Sequence, residues 1–409
     1  MLHIQSCGNF GSFQEMRVAI VHHWFLAHRG GERVVDALCE LLPQADIYTL
    51  FCDSQSRSTV VSKHKMHTSF LNQIIGSRHF YRQLLPLYPV AVKSLNLSGY
   101  DLVISSDAGP VKGVFTDSEA LHICYCHSPM RCLWDAHRSY CAAMSCVPGI
   151  AFRLCSSFVR DWDYRAAQRV KYFVSNSHNV ASRVRRYYGR DSAVIYPPVD
   201  THRGVIRDSV DDFYLAVGRL VPYKRTDLVI KACSRLGRRL VVVGDGPELR
   251  SLHRYAGPSI KFLCDVTDDQ LWQLYSRCRA LIIAADEDFG ISPVEAQACG
   301  RPVIAYGKGG VLETIVDWKT AAGSSTSHMT SSPTGIFFSD QSVDSVMDAI
   351  LRFEPIERHF MPECIRAHAT QFDKAMFMRR FSTYLLRILE LEGRSRLASQ
   401  SRQLLSIPR

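Results

Sequence analysis

The chain has no uninterrupted apolar run of about 18 residues or more, so nothing in it reads as a helix that crosses a bilayer. No secretory-signal pattern opens it either; residues 1–15 read as a loose extension, and Met16, directly before the first clear strand, reads as the start of the fold. A disulfide scaffold is also missing. The fourteen cysteines are scattered from Cys7 to Cys364 without dense spacing, and Cys39, Cys233 and Cys278 fall inside apolar runs, where a free thiol behaves as a small hydrophobe. A reducing, cytoplasmic setting is the simpler expectation. One cluster, Cys124, Cys126, His127 and Cys132, can be drawn as a metal site, but no second pair stands with it at zinc-finger spacing, so no metal is expected. A recognition-helix pattern and a basic–aromatic reading motif are absent too, which leaves nucleic-acid binding resting on net charge alone; it is not expected.

What is present suits a globular protein of two domains. The 409 residues are enough for two cores, and 46% apolar with 22% charged residues is ordinary for such a chain. Forty-nine Lys and Arg against 39 Asp and Glu give a formal charge of +10. That balance favours anionic partners such as nucleotide diphosphates or anionic lipids, although a solvated basic surface accounts for it equally.

Short apolar runs alternate with helical patterns, which argues for α/β architecture with parallel sheets. The first series has strand candidates at 17–22, 46–50, 102–105, 122–125, 172–175 and 193–196, with a helix at 32–42. A second series follows Pro197-Pro198, with strands at 213–217, 240–243, 260–263, 280–284, 303–305 and 335–338, and helices near 225–234, 247–255, 268–278 and 293–298. The expected organisation is an extension (1–15), a first Rossmann-like domain (16–205), a second (206–373), and a closing helix with a basic tail (374–409). The Ser/Thr-rich stretch 320–334 reads as a surface loop. Two such domains in tandem imply a cleft, and open parallel sheets bind ligands outside the carboxyl ends of their strands.

Chemistry-bearing residues fall at those strand ends. Glu287 to Glu295 (EDFGISPVE) follows a buried strand and opens a helix; a helix start offers unpaired N–H groups to a diphosphate or to hydroxyls. Gly290 permits close backbone approach, and Pro293 suits the first turn. Glu295 alone could simply favour the helix N-terminus. Two carboxylates flanking a glycine loop at a strand end favour a site. Gly218, Arg219 and Lys224 (GRLVPYK) place two cations on one strand-to-helix loop, fit to grip a diphosphate, although a solvated basic loop reads as well in isolation. Gly244-Asp245-Gly246 and Gly307-Lys308-Gly309-Gly310 end two further strands, and Gly30-Gly31, after Arg29, joins strand one to helix one, either as a phosphate approach or as a plain tight turn. His127, ahead of Arg131 and Trp134, is a sugar contact or a satisfied structural histidine. In 77–95, Arg78, His79, Arg82 and Lys93 alternate with Phe80, Tyr81, Leu84, Leu85, Leu87 and Tyr88, a composition that can lie among lipid headgroups; Pro86 and Pro89 break any long helix, so core plus a solvated face is the other reading.

Taken in order, Gly218-Arg219 with Lys224, Gly244-Asp245-Gly246-Pro247, Glu287 through Glu295, and Gly300-Arg301-Pro302-Val303-Ile304-Ala305 resemble glycosyltransferase family 4, over about residues 16–381. The stretches HSPMRCLWD (127–135), Ser175-Asn176-Ser177 and YPPVD (196–200) are most similar to its O-antigen mannosyltransferase branch. The resemblance implies the GT-B fold, two facing Rossmann-like domains with a cleft between them. It also implies retention of anomeric configuration without a metal or other cofactor. Glu287, Arg219, Lys224 and His127 would be the catalytic groups. Arg219 and Lys224 would bind the donor diphosphate, Glu295 the ribose, and Glu287 with the Phe289, Gly290 and Ile291 backbone the sugar, beside Gly218 and Gly244. Gly30 and Gly31 would approach the diphosphate from the first domain, and the loop with Cys264 and Val266 would meet the base; family members commonly have glycine where this chain has Cys264. The expected donor is GDP-mannose and the expected acceptor a lipid-linked oligosaccharide, with peripheral contact at the cytoplasmic face of an anionic membrane. A UDP-sugar donor, or nucleotide-sugar binding without turnover, are the rival expectations. No sugar-reading pattern marks an acceptor site in 60–100 or 135–160.

Overall fold

The structure, a computed structural model, describes residues 16–26, 30–74, 76, 81–135, 137, 140–141, 146–319 and 332–393. The expected extension 1–15, Arg29, residues 77–80, segment 320–331 and the tail 394–409 lie outside these. The chain divides into two compact units, one of Met1–Pro198 with Phe377–Arg409, the other of Val199–Met376.

The first unit carries a seven-stranded, wholly parallel sheet in the order β3-β2-β1-β4-β5-β6-β7. Its strands are β1 (Val18–Phe25), β2 (Asp46–Cys52), β3 (Met66–Thr68), β4 (Leu102–Asp107), β5 (Leu121–Cys126), β6 (Tyr172–Ser175) and β7 (Ser192–Val194). Helices cover both faces of such a sheet, so strands like β4 and β5 are buried throughout and read as near-continuous runs. The three-residue edge strand β3 has no run long enough to be seen in the sequence. A 24-residue helix, Cys146–Arg169, crosses from β5 to β6, a segment to which the sequence reading assigned no element. The helix His178–Tyr188 is bounded as its sequence dictates: the Ser177 hydroxyl accepts from the Val180 N–H at its start, and Gly189 closes it in the left-handed region.

The second unit carries a six-stranded parallel sheet, β10-β9-β8-β11-β12-β13. Its strands are β8 (Tyr214–Val217), β9 (Leu240–Val243), β10 (Ile260–Leu263), β11 (Leu281–Ile283), β12 (Val303–Tyr306) and β13 (Gly335–Phe338). The helix Asp268–Arg277 begins with a capping box between Thr267 and Gln270.

The helix Lys374–Leu391 does not stand apart as a closing piece. Phe377, Phe381, Leu385, Leu386, Ile388 and Leu389 are buried in the core that contains Val18, Ile20, Leu102 and Ile123, and Phe377 meets the Tyr125 ring edge-on at 5.8 Å. Its end is pinned by Glu392, which accepts from Tyr172 Oη at 2.6 Å and pairs with Lys171. The division between units falls at Pro198/Val199, a little ahead of the expected 205/206.

In each sheet the order reverses once, between β1 and β4 in the first and between β8 and β11 in the second. The crevice outside the strands' carboxyl ends at such a point is where α/β sheets take ligands.

Candidate functional site

In the second unit, the loops after β8, β9, β11 and β12 meet at this edge. Val217 gives way to Gly218, and Gly244, after β9, is pressed against it: a Cβ on Gly244 would stand 2.0 Å from the Gly218 carbonyl oxygen, and its φ of 140° is one that side-chain-bearing residues rarely adopt. The next turns present Lys224, followed by Arg225 at φ 51°, a strained conformation for a residue with a side chain.

Lys224 Nζ donates to both carboxylate oxygens of Glu287, at 2.6 and 2.7 Å. Burial by itself would depress this ammonium, but Glu287 outweighs it and holds the group above its ordinary value, so Lys224 is charged at neutral pH. Glu287 is fixed in turn by its backbone, whose carbonyl accepts from Gly310 N at 2.7 Å and which bridges to Gly309. Arg219, on the same loop as Lys224, is half-buried, and among the described residues its guanidinium makes no hydrogen bond or ion pair. A small depression lined by Gly218, Leu220, Lys224, Thr226, Ala285 and Glu287 lies at the same edge.

Gly290, at φ 97°, caps the helix Ile291–Ala298. Phe289 turns inward against the Phe372 ring at 5.5 Å, so its side chain belongs to the interior and only its backbone faces the turn. Glu295, 4% exposed, lies deeper: its Oε2 accepts from Tyr275 Oη at 2.8 Å. Cys264, exposed, and Val266, half-buried, follow β10, the outermost strand of this sheet, two strands from β8. Lys224 thus contacts Glu287, Glu287 contacts Gly310, and Gly218 contacts Gly244, whose N–H donates to the Leu263 carbonyl at 3.0 Å, next to Cys264.

In the first unit, Gly30 and Gly31 start the helix Gly30–Leu41 directly after β1, and a Cβ on Gly31 would lie 3.5 Å from His22 Cε1 and 3.8 Å from His127 Nε2. His127 follows β5, its N–H donating to the Asp107 carbonyl at 2.8 Å and its own carbonyl accepting from Asn176 Nδ2 at 3.0 Å. Its ring contacts Ser106 Oγ through Nε2 at 2.8 Å. Burial, then the neighbouring His22, pushes its pKa down to about 3, so the imidazole is neutral at neutral pH.

Trp134 is not aimed outward: its indole N–H donates to Asp163 at 2.8 Å. Asp163 and Asp107 flank the fully buried Lys112, whose Nζ donates to Asp107 at 3.1 Å, to the Gly109 carbonyl at 2.9 Å and to Asp163. The sequence reading missed this network, as well as Ser106, His22 and Tyr275. Ser106 and Asp107 had one available signal: they are polar residues ending a strand whose interior is apolar. Cys124 and Cys126 are both buried on β5, and the Cys126 thiol is pushed up by its hydrogen bond with Cys124 and by burial. Among the described residues, no three His, Cys, Asp or Glu side chains stand together as a set of metal ligands, and no helix is long and apolar enough to cross a membrane.

Two family models match the chain, one described as Glycosyltransferase Family 4 over residues 28–203 and the other as Glycosyl transferases group 1 over residues 201–360. A GDP-mannose-dependent alpha-(1-6)-phosphatidylinositol monomannoside mannosyltransferase of Mycolicibacterium smegmatis is 35% identical over 124 residues, 26% of this chain and 32% of that relative. The O-antigen chain mannosyltransferase RfbU of Salmonella typhimurium is 30% identical over 151 residues, 34% of this chain and 43% of that one. The chain thus spans less than half the length of these curated relatives. Among solved structures, a sucrose-phosphate synthase from Thermosynechococcus elongatus aligns with a TM-score of 0.67 at 14% identity, over 92% of this chain and 100% of that one. HepE of Anabaena, solved in complex with UDP, aligns at 0.64 and 16% identity, over 90% and 99%. With the two models meeting near residue 201 and both of these structures aligning over 90% or more of the chain, it belongs to glycosyltransferase family 4 and has the GT-B fold.

Proposed function

We propose that the protein is a retaining, metal-independent glycosyltransferase that moves mannose from GDP-mannose onto a lipid-linked oligosaccharide. The observation that carries this reading is the charged Lys224, held by Glu287 between two glycine turns at the topological switch point of the second sheet, with Arg219 on the same loop. Arg219 and Lys224 neutralise the diphosphate as it leaves. Glu295 receives the ribose hydroxyls, and Glu287 with the Phe289–Ile291 backbone, at residues 289–291, faces the sugar. In the transfer the bond from sugar C1 to the diphosphate oxygen breaks, the acceptor oxygen bonds to C1 on the same face, and the acceptor's proton passes to the leaving diphosphate. No enzymic nucleophile is needed. The names of the Mycolicibacterium and Salmonella relatives support mannose and a lipid-linked or O-antigen acceptor.

Peripheral membrane contact belongs to the same proposal. Phe70, Ile74, Leu87 and Val90 are exposed large apolar side chains within one short stretch of the first unit, and Lys93 beside them is exposed. The segment is not uniformly lipid-facing: Leu85 and Tyr88 are buried in the core. The protein should float with anionic liposomes at low salt and release as salt screens the attraction; indifference to liposomes at low salt counts against it.

The deciding experiment is calorimetric titration of wild type and Lys224→Ala with GDP, UDP, GDP-mannose and UDP-sugars. GDP binding that weakens in the variant supports the proposal. UDP preference moves the donor to a UDP-sugar, and no binding by any nucleotide defeats the reading.

A further inference from the structure

A chain of buried polar groups runs beneath Gly31 at the end of the first sheet. His22 on β1 and Ser106 on β4 are partners in parallel register, and both are buried. His22 Nδ1 lies 3.1 Å from the Ser106 carbonyl oxygen and 3.2 Å from Ser106 Oγ. A carbonyl oxygen can only accept, so the hydrogen of this contact sits on His22 Nδ1. His23 Nδ1 approaches the same carbonyl at 3.4 Å, and Glu32 Oε1 lies 3.6 Å from His22 Nε2, on the far side of the ring. With a hydrogen already on His22 Nδ1, the Ser106 hydroxyl cannot donate there. Its remaining acceptor among the described residues is His127 Nε2, at 2.8 Å. His127 Nε2 is then the bare nitrogen, and the ring's one proton is on Nδ1.

His127 Nδ1 has no hydrogen-bond partner among the described residues and is not among the buried unpaired atoms. The backbone of His127 is tied to Asp107 and Asn176, and its ring is held by the bond to Ser106 and by Gly31 beside it. We infer that Ser106 is a positioning residue that locks His127 as the Nδ1–H tautomer, so that the open edge of the imidazole offers a hydrogen-bond donor to an oxygen of the nucleotide-sugar. This rests on the proposed glycosyltransferase reading, with His127 at the donor sugar as the family resemblance implies. The depressed basicity of His127 supports it, since a neutral ring has one defined donor and one defined acceptor. A ring of the opposite tautomer would present a lone pair to hydroxyl or phosphate oxygens and would repel the latter.

The test reads the tautomer directly and separately from activity. Protein labelled with ¹⁵N-histidine, with His127 assigned through His127→Gln, is examined by long-range proton–nitrogen correlation at pH 7. The expected pattern is a protonated Nδ1 and a bare Nε2, giving way to a mixture in Ser106→Ala. A protonated Nε2, or a doubly protonated ring, overturns the inference. In turnover, His127→Asn, whose amide N–H falls near the place of Nδ1–H, should retain about tenfold more activity than His127→Gln, the value of one hydrogen bond. Ser106→Ala should cost about tenfold in the wild-type background and nothing further in His127→Asn. Equal added loss in the double variant would make Ser106 merely structural and overturn its role. The expected tautomer together with unchanged turnover in His127→Gln would instead remove His127 from the donor site.

Discussion

Lys224 and Glu287 form a two-pronged ion pair that ties the loop after β8 to the loop after β11. On the proposed reading, a diphosphate arriving at this loop competes with Glu287 for the ammonium. Glu287→Gln should therefore bind GDP at least as tightly as wild type, because Lys224 is released to the phosphate, while turnover falls. Lys224→Ala should lose both, with turnover down by about a hundredfold, typical of removing one charge-stabilising donor from a preorganised site. Calorimetry and initial rates on the two variants check this. Parallel loss of binding and turnover in Glu287→Gln would mean that the carboxylate holds the loops in place and does not face the sugar.

Tyr275 bonds Glu295, the residue proposed to receive the ribose. A carboxylate this buried keeps its aim only if it is hydrogen-bonded, and the 2.8 Å bond from Tyr275 to Oε2 is one of the contacts that hold it. Tyr275→Phe removes one hydroxyl and no packing volume. The loss of one hydrogen bond, about 1 kcal/mol, predicts a donor KM raised by about five- to tenfold with kcat nearly unchanged. Steady-state kinetics at varied donor concentration decide it, and a fall in kcat at constant KM would place Glu295 in the chemical step.

The sheets were legible because parallel strands buried on both faces leave runs such as LVVV (240–243) and LII (281–283) in the sequence, and the glycine turns were legible because each follows such a run. Lys224 and Glu287, 63 positions apart, were both identifiable, but their contact was not, since only the fold brings the two loops together. Asp163 was hidden for a different reason. It sits in the middle of a 24-residue helix of weak amphipathic pattern, where an acidic residue reads as solvated, and its partner Lys112 is 51 positions away. Tyr275 fell on the apolar stripe of its helix, and a stripe gives no sign of where a hydroxyl at its end will point. The closing helix was found at its correct residues, yet its sequence could not tell which core its Phe377, Phe381 and Leu385 would enter.

Lys112 gives a stability prediction. Burial by itself would depress its ammonium, but Asp107 and Asp163 outweigh that and hold it above the ordinary range. Lys112→Met leaves two buried carboxyl groups without their counter-charge, which should destabilise the fold by about 3–5 kcal/mol. Adding Asp163→Asn removes one of those charges and should recover part of the loss. Thermal unfolding of the single and double variants measures this; a single variant as stable as wild type would show that the triad contributes nothing beyond its own desolvation.

His122 predicts the direction of acid sensitivity. It is 3% exposed on β5, with Nε2 bonded to Ser105 Oγ at 2.9 Å, and burial, followed by the charge of Arg169, pushes its pKa from 6.5 down to about 4. As pH falls from 6.5 towards 4 the unfolded chain takes up a proton at this position that the folded chain refuses, so stability declines through that window and the loss is complete below it. At 1.36 kcal/mol per unit the full effect of His122 is about 3 kcal/mol. His23 and His127, both also shifted downward, act in the same sense. His122→Gln keeps a polar partner for Ser105 and removes the titration, so its urea midpoint should fall less than that of wild type between pH 7 and pH 5. Identical pH slopes in the two proteins would mean that His122 is reached by water and protons in the folded state, and that β5 is less closed at this point than its packing indicates.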